Sequence, residues 1–200
     1  MSDGPGRVGR SGLGGPWRYV IGVTSRIAVC PGSYDPVTLG HLDIVRRALT
    51  LFDEVVVVIG INAAKSTLLT PHQRRDLFTD AVADLPGARV LAAPGLIVDV
   101  CRDVGASAIV KGLRGGADFD AEQPMTLMNR YLAGVETVYL SSEATLAHIS
   151  SSMVKEVARY GGDITDLVPP GVADAVYTAL GTAPGLGPSA RRTESKDDPR

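Results

Sequence analysis

The chain has 200 residues, 44 % of them hydrophobic and 21 % charged, with a net charge of −2 at pH 7. That length supports one well-buried domain once the tails are set aside, and the charge balance excludes a bulk basic surface for nucleic acid. No apolar run approaches the ~20 residues of a membrane span and no signal-peptide core is present, so a cytoplasmic protein without a membrane partner is expected.

Residues 1–25, rich in Gly, Ser and Arg, carry no sustained period and are expected to form a disordered N-terminal extension. The extension is expected to be dispensable, with Val23 a candidate natural start. Apolar strand-like runs follow at 26–30, 54–60, 88–93, 106–111 and 136–140. They are continuous rather than alternating, which predicts strands covered on both faces. Helical patterns lie between them. Leu42, Val45, Leu49 and Phe52 recur at helical spacing. Thr70-Pro71-His72-Gln73 combines an N-cap, a first-turn proline and a capping-box glutamine before Leu77, Phe78, Ala81 and Val82. Further helices are expected at about 116–132 and 151–160, and a short one opens after Pro169-Pro170-Gly171. The domain should run from 26 to 181, with 182–200 a disordered tail. Cys30 and Cys101 form no CxxC pair and read as free core thiols. The alternation gives an α/β fold: a single-domain, Rossmann-like, doubly wound five-stranded parallel sheet with helices on both faces.

Candidate chemistry collects after the carboxyl ends of the strands, where such sheets receive ligands. Pro31-Gly32-Ser33-Tyr34-Asp35-Pro36-Val37-Thr38-Leu39-Gly40-His41 places a glycine turn and a Thr-x-Gly-His box at a strand-to-helix crossing. Free N–H groups and the helix dipole favour a phosphate there, and His41 enters the first turn. Lys65 follows the second strand. Lys111-Gly112-Leu113-Arg114 sets two cations in a glycine-rich turn. A lysine ending a buried strand requires an anionic partner. Ile149-Ser150-Ser151-Ser152 brings hydroxyls to a helix start, where one serves as N-cap and the others are left for phosphate. Each segment alone also reads as a solvated charge or an ordinary turn.

Taken in order, these segments resemble the bacterial phosphopantetheine adenylyltransferases, members of the nucleotidyltransferase superfamily. Ala117-Asp118-Phe119, Met128-Asn129, Val154-Lys155-Glu156-Val157-Ala158 and Gly161-Gly162-Asp163 extend the match over about 26–180. The resemblance implies adenylyl transfer from ATP to 4′-phosphopantetheine, giving dephospho-coenzyme A and pyrophosphate. It implies His41, Lys65 and Arg114 as catalytic residues, and Ser33, Lys65, Leu96, Ile97, Lys111 and Asn129 on the acceptor side. ATP contacts would come from Ser33, Tyr34, His41, Gly112, Arg114, Glu122, Ile149, Ser150, Ser151 and Ser152. Mg²⁺ would arrive with the triphosphate, no residue serving as a dedicated metal ligand, and the chain would form a homo-oligomer, a hexamer. The match departs at Ala121, Pro124, Leu146 and His148, where relatives carry an aromatic, a glutamine, an aromatic and a phenylalanine. The walls around adenine and pantetheine therefore differ while the phosphate-handling residues are kept. Two other readings are a nucleotidyltransferase with a different acceptor and a non-catalytic nucleotide-binding paralogue.

Overall fold

A computed structural model describes residues 25–62, 64 and 66–185. The expected N-terminal extension with Val23, most of the C-terminal tail and Lys65 lie outside the described residues.

Five parallel strands, β1 (Ile27–Gly32), β2 (Glu54–Ile61), β3 (Ala88–Pro94), β4 (Ala108–Leu113) and β5 (Glu136–Ser141), form one sheet in the order β3-β2-β1-β4-β5. Six helices alternate with and follow them: α1 (Leu39–Ala48), α2 (Pro71–Ala81), α3 (Ile97–Val104), α4 (Gly116–Ala133), α5 (Ser151–Arg159) and α6 (Val172–Leu180). Val55, Val57 and Ile59 pack on one face with Phe78 of α2, Val45 of α1, Val154 of α5 and Val176 of α6. Val56, Val58 and Ile109 pack on the other with Val98 and Cys101 of α3. Both faces of the central strands are thus covered, as their unbroken valine runs require.

The order in which strands are added switches sides between β1 and β4, the point where an open parallel sheet leaves a crevice. The two strands pair only at Ala28–Ala108 and Val29–Ile109, whereas β1 stays paired with β2 through Gly32 and β4 with β5 through Leu113. Pro31 lacks the N–H that a continued ladder would need, and it falls where β1 and β4 have already parted. The splay opens the site.

Several boundaries differ from the sequence expectation by one or two residues, β1 ending at Gly32 rather than 30 and β4 at Leu113 rather than 111 among them. The fourth strand begins at Ala108, not 106, because Gly105 takes a left-handed conformation (φ 69°) and Ala106 N–H turns back to the Cys101 carbonyl at 2.8 Å, closing α3. At the far end the chain stays attached beyond 181. Thr182 Oγ1 donates to the Ala158 carbonyl and Gly185 N–H to that of Gly161 at 2.9 Å.

Candidate active site

Two chambers open over the carboxyl ends of the strands, of about 360 and 400 Å³. They share Pro31, Gly32, Ser33, Lys111 and Glu122. The first holds His41, Gly112, Arg114, Ile149 and the serines 150–152. The second holds Asn62, Thr67, Leu96, Ile97 and Asn129. Apart from Lys65, the expected site residues are therefore brought to one crevice, and the acceptor-side and ATP-side sets separate into adjoining spaces.

The β1–α1 turn is built around Tyr34. Its φ is +48°, a left-handed conformation that a bulky residue rarely adopts, and its side chain is buried. The ring lies edge-on to His41 (4.9 Å) and to Phe78 (4.7 Å), and the phenol donates to the Cys30 carbonyl at 2.9 Å. Tyr34, expected among the ATP contacts, thus turns its hydroxyl inward and braces His41 from below. Gly32 makes room for it, since a Cβ there would stand 2.7 Å from the ring. Gly112 does the same for α1, where a Cβ would meet Ile44 at 2.7 Å.

His41 is the third residue of α1 and completes a capping box. Thr38 N–H donates to His41 Nδ1 at 3.0 Å, while Thr38 Oγ1 accepts from the His41 N–H at 3.4 Å. The same arrangement occurs at α2, where Gln73 Oε1 accepts from Thr70 N–H at 2.9 Å. Histidine takes the place of glutamine, which is why the pattern at Thr38 escaped the sequence reading. Because Nδ1 is an acceptor, the neutral ring carries its proton on Nε2 and presents a donor there. Burial, and then the Arg114 guanidinium, push the imidazole down from 6.5 to about 4, so it is neutral at pH 7.

The cations come with partners. Lys111, just past the buried half of β4, pairs with Glu122 of α4 at 3.1 Å, which supplies the anion its position requires. Arg114 makes a two-pronged contact with Asp118, Nε to Oδ2 and Nη2 to Oδ1, both 2.9 Å. This contact holds the guanidinium in one orientation over the first chamber.

At the start of α5 the serines divide their work. Ser150 Oγ caps the helix by accepting from Met153 N–H at 3.2 Å. Ser151 Oγ donates to the Pro36 carbonyl at 2.8 Å, so its hydroxyl proton, expected to face a phosphate, is already engaged. The Ser152 hydroxyl has no protein partner among the described residues, and the first-turn N–H groups of Ser151 and Ser152 have none either. These, with the helix dipole, are what α5 offers an anion.

Two buried charged residues beside the site were missed by the sequence reading. Asp35 is buried. Its Oδ1 accepts from Leu69 N–H at 2.8 Å, and its Oδ2 from Leu68 N–H at 2.9 Å and Lys155 Nζ at 2.8 Å. Burial by itself would raise its carboxyl, but the Lys155 ammonium and the two N–H groups outweigh burial and hold it below the usual range. Arg74 of α2 is buried too and donates to the carbonyls of Ser33 (2.6 Å) and Gly60 (3.4 Å). A signal for Arg74 existed: it stands one turn before Phe78, so a charge fell on the apolar face of its helix.

Of the departures, Ala121 and Leu146 line the first chamber. His148 is exposed and lines neither chamber, so its difference from a phenylalanine does not reshape these walls. Pro124 is exposed within α4. Among the described residues no three His, Cys, Asp or Glu side chains cluster so as to hold a metal ion.

The cytidylyltransferase-like family matches residues 29–157. The chain is 58 % identical over 153 residues to a phosphopantetheine adenylyltransferase of Nocardioides sp. (strain ATCC BAA-499 / JS614), spanning 76 % of this chain and 96 % of that one. It is 51 % identical over 156 residues to one of Bifidobacterium longum (strain DJO10A), spanning 77 % and 94 %. In fold it resembles a bifunctional NMN adenylyltransferase/ADP ribose pyrophosphatase from Francisella tularensis, with a TM-score of 0.60 at 13 % identity over 80 % of this chain and 51 % of that one.

Proposed function

The chain belongs to the phosphopantetheine adenylyltransferases, within the cytidylyltransferase-like family, and from that premise we propose how its crevice works. The reaction moves the adenylyl group of ATP to 4′-phosphopantetheine and yields dephospho-coenzyme A and pyrophosphate. The observation that carries the reading is the pair of adjoining chambers joined over Ser33, Lys111 and Glu122, one lined by phosphate-handling groups and the other partly apolar.

The acceptor is a phosphate monoester, largely ionised at pH 7, so its oxygen attacks the α-phosphorus without a general base. As that P–O bond forms, the bond from the α-phosphorus to the bridging oxygen breaks and pyrophosphate leaves. The protein has to hold two anions in line and stabilise the charge that grows on the transferred and departing groups. The His41 Nε2–H donates to the α-phosphate. Arg114, held by Asp118, and Lys111, held by Glu122, lie beside the phosphates, and the Ser151 and Ser152 N–H groups with the Ser152 hydroxyl take the far end of the triphosphate. Gly112 and Ile149 form the floor, and Glu122 also meets the ribose. Ser33 and Lys65 receive the acceptor phosphate, and Leu96, Ile97 and Asn129 the pantetheine arm.

Mg²⁺ suits this donor set as an ion that phosphate oxygens and water would carry; bound, it would neutralise triphosphate charge. The apolar groups exposed on α4, Leu127 at 58 % and Tyr131 at 84 %, support a homo-oligomer, and the hexamer is what the family resemblance implies. No helix among the described residues is long and apolar enough to cross a membrane.

The test is a pyrophosphate-release assay with ATP, Mg²⁺ and phosphopantetheine, run beside nicotinamide mononucleotide and CTP controls. Turnover with phosphopantetheine alone is expected. Turnover with nicotinamide mononucleotide in its place would reassign the acceptor, turnover with CTP in place of ATP would reassign the nucleotide donor, and none with any pair would leave a nucleotide-binding protein without the activity.

A further inference from the structure

Asp35, 3 % exposed, is the only buried carboxylate among the described residues, and it lines neither chamber. Its partners come from opposite ends of the crevice. Leu68 and Leu69 follow Thr67, which lines the second chamber. Lys155 stands one turn along α5 from Ser151 and Ser152, which line the first. Asp35 itself sits in the turn between Ser33, common to both chambers, and the Thr38–His41 capping box. The same turn is fixed at two further points, Pro36 by Ser151 Oγ and Ser33 by Arg74.

One carboxylate thus joins three separate segments. A buried ion pair adds little net stability over well-packed apolar side chains, because the cost of desolvating two charges offsets their attraction. What it adds is a fixed geometry. Two chambers holding reacting phosphates need that, since a shift of about 1 Å between bound groups lowers an in-line transfer by roughly a hundredfold.

We propose that Asp35 is a positioning residue that ties the segment bearing Leu68 and Leu69 to α5 through Lys155, and so sets the distance between the acceptor-side and triphosphate-side walls. The consequence for turnover rests on the transferase reading above; the strut itself does not.

The test compares Asp35→Asn, Lys155→Met, the double variant and Lys155→Arg with the parent. In the parent's assay with phosphopantetheine, kcat should fall at least about tenfold in each of the first two. The dissociation constants of ATP and phosphopantetheine, measured separately, should stay within about threefold, because each wall keeps its own contacts. The double variant should be no worse than the poorer single within about twofold, and Lys155→Arg should recover most of the rate. Independently of any substrate, amide hydrogen exchange at Leu68 and Leu69 should quicken at least about tenfold in Lys155→Met, although Lys155 makes no hydrogen bond to either and is joined to them through Asp35. Unchanged exchange there, or additive losses of kcat, would overturn the proposal. So would a kcat within about twofold of the parent in both singles. If Asp35→Asn does not fold, the two Lys155 variants and the exchange measurement decide. A parent without turnover would overturn the transferase reading and leave the exchange result to judge the strut.

Discussion

Replacing His41 by alanine and by glutamine separates its two tasks. The alanine removes both the Nε2 donor and the acceptor for Thr38 N–H. Thr38 is 1 % exposed, so its N–H, left without a partner, costs about 1–3 kcal/mol in stability. Loss of one donor aimed at developing charge costs about 3 kcal/mol in the barrier, on the order of a hundredfold in kcat. Glutamine should separate these effects, because Gln73 already shows that the side chain can close this box, accepting from Thr70 N–H at 2.9 Å. His41→Gln is therefore expected to regain stability to within about 0.5 kcal/mol of the parent. Its kcat should stay at least about tenfold low, since an amide turned to accept Thr38 N–H does not bring its NH₂ to the place of Nε2. Urea unfolding gives the first quantity and the pyrophosphate-release assay the second. The reasoning is refuted if His41→Gln recovers rate and stability together, or if His41→Ala folds and turns over within about threefold of the parent.

The pH dependence of stability follows from the same ring. His41 titrates near 6.5 when unfolded and about 4 when folded, so the unfolded state binds more protons between those values. That contribution is intact above 6.5 and is lost as pH falls toward 4; His41→Gln should flatten this part of the urea-midpoint profile, and an unchanged slope would show that the ring does not titrate low. Arg114→Ala should lower kcat by about a hundredfold, and Arg114→Lys should recover only part because an ammonium cannot make both 2.9 Å contacts with Asp118. Steady-state kinetics check both. Gly32→Ala and Gly112→Ala should each destabilise by about 1–3 kcal/mol, because a Cβ would stand 2.7 Å from the Tyr34 ring, held by three contacts, in the first and 2.7 Å from the buried, β-branched Ile44 in the second. A melting point equal to the parent's in either variant would contradict this. Ala121→Tyr adds a ring to the wall of the first chamber and should tighten ATP binding severalfold by calorimetry, while His148→Phe should leave it unchanged.

Local order was written in the residues themselves. Unbroken runs such as Val55–Ile59 can be satisfied only by strands covered on both faces, and Thr70, Pro71 and Gln73 start α2 by contacts within one helical turn. The Thr-x-Gly-His box was legible for the same reason, since it needs only a strand, a turn and a helix in succession. The tertiary structure decided the rest. Glu122 meets Lys111, Asp35 meets Leu68, Leu69 and Lys155, and Arg74 meets Ser33 only because the sheet folds distant segments onto one edge. Periodicity carries no information about such pairs. Ser151 makes the same point: its place at a helix start promised a hydroxyl for phosphate, but the Pro36 carbonyl, distant in sequence and adjacent in space, takes its proton. The sequence named the groups able to handle phosphate, and only the folded chain determined which are free to do so, because a polar group near the interior bonds the nearest partner that packing supplies.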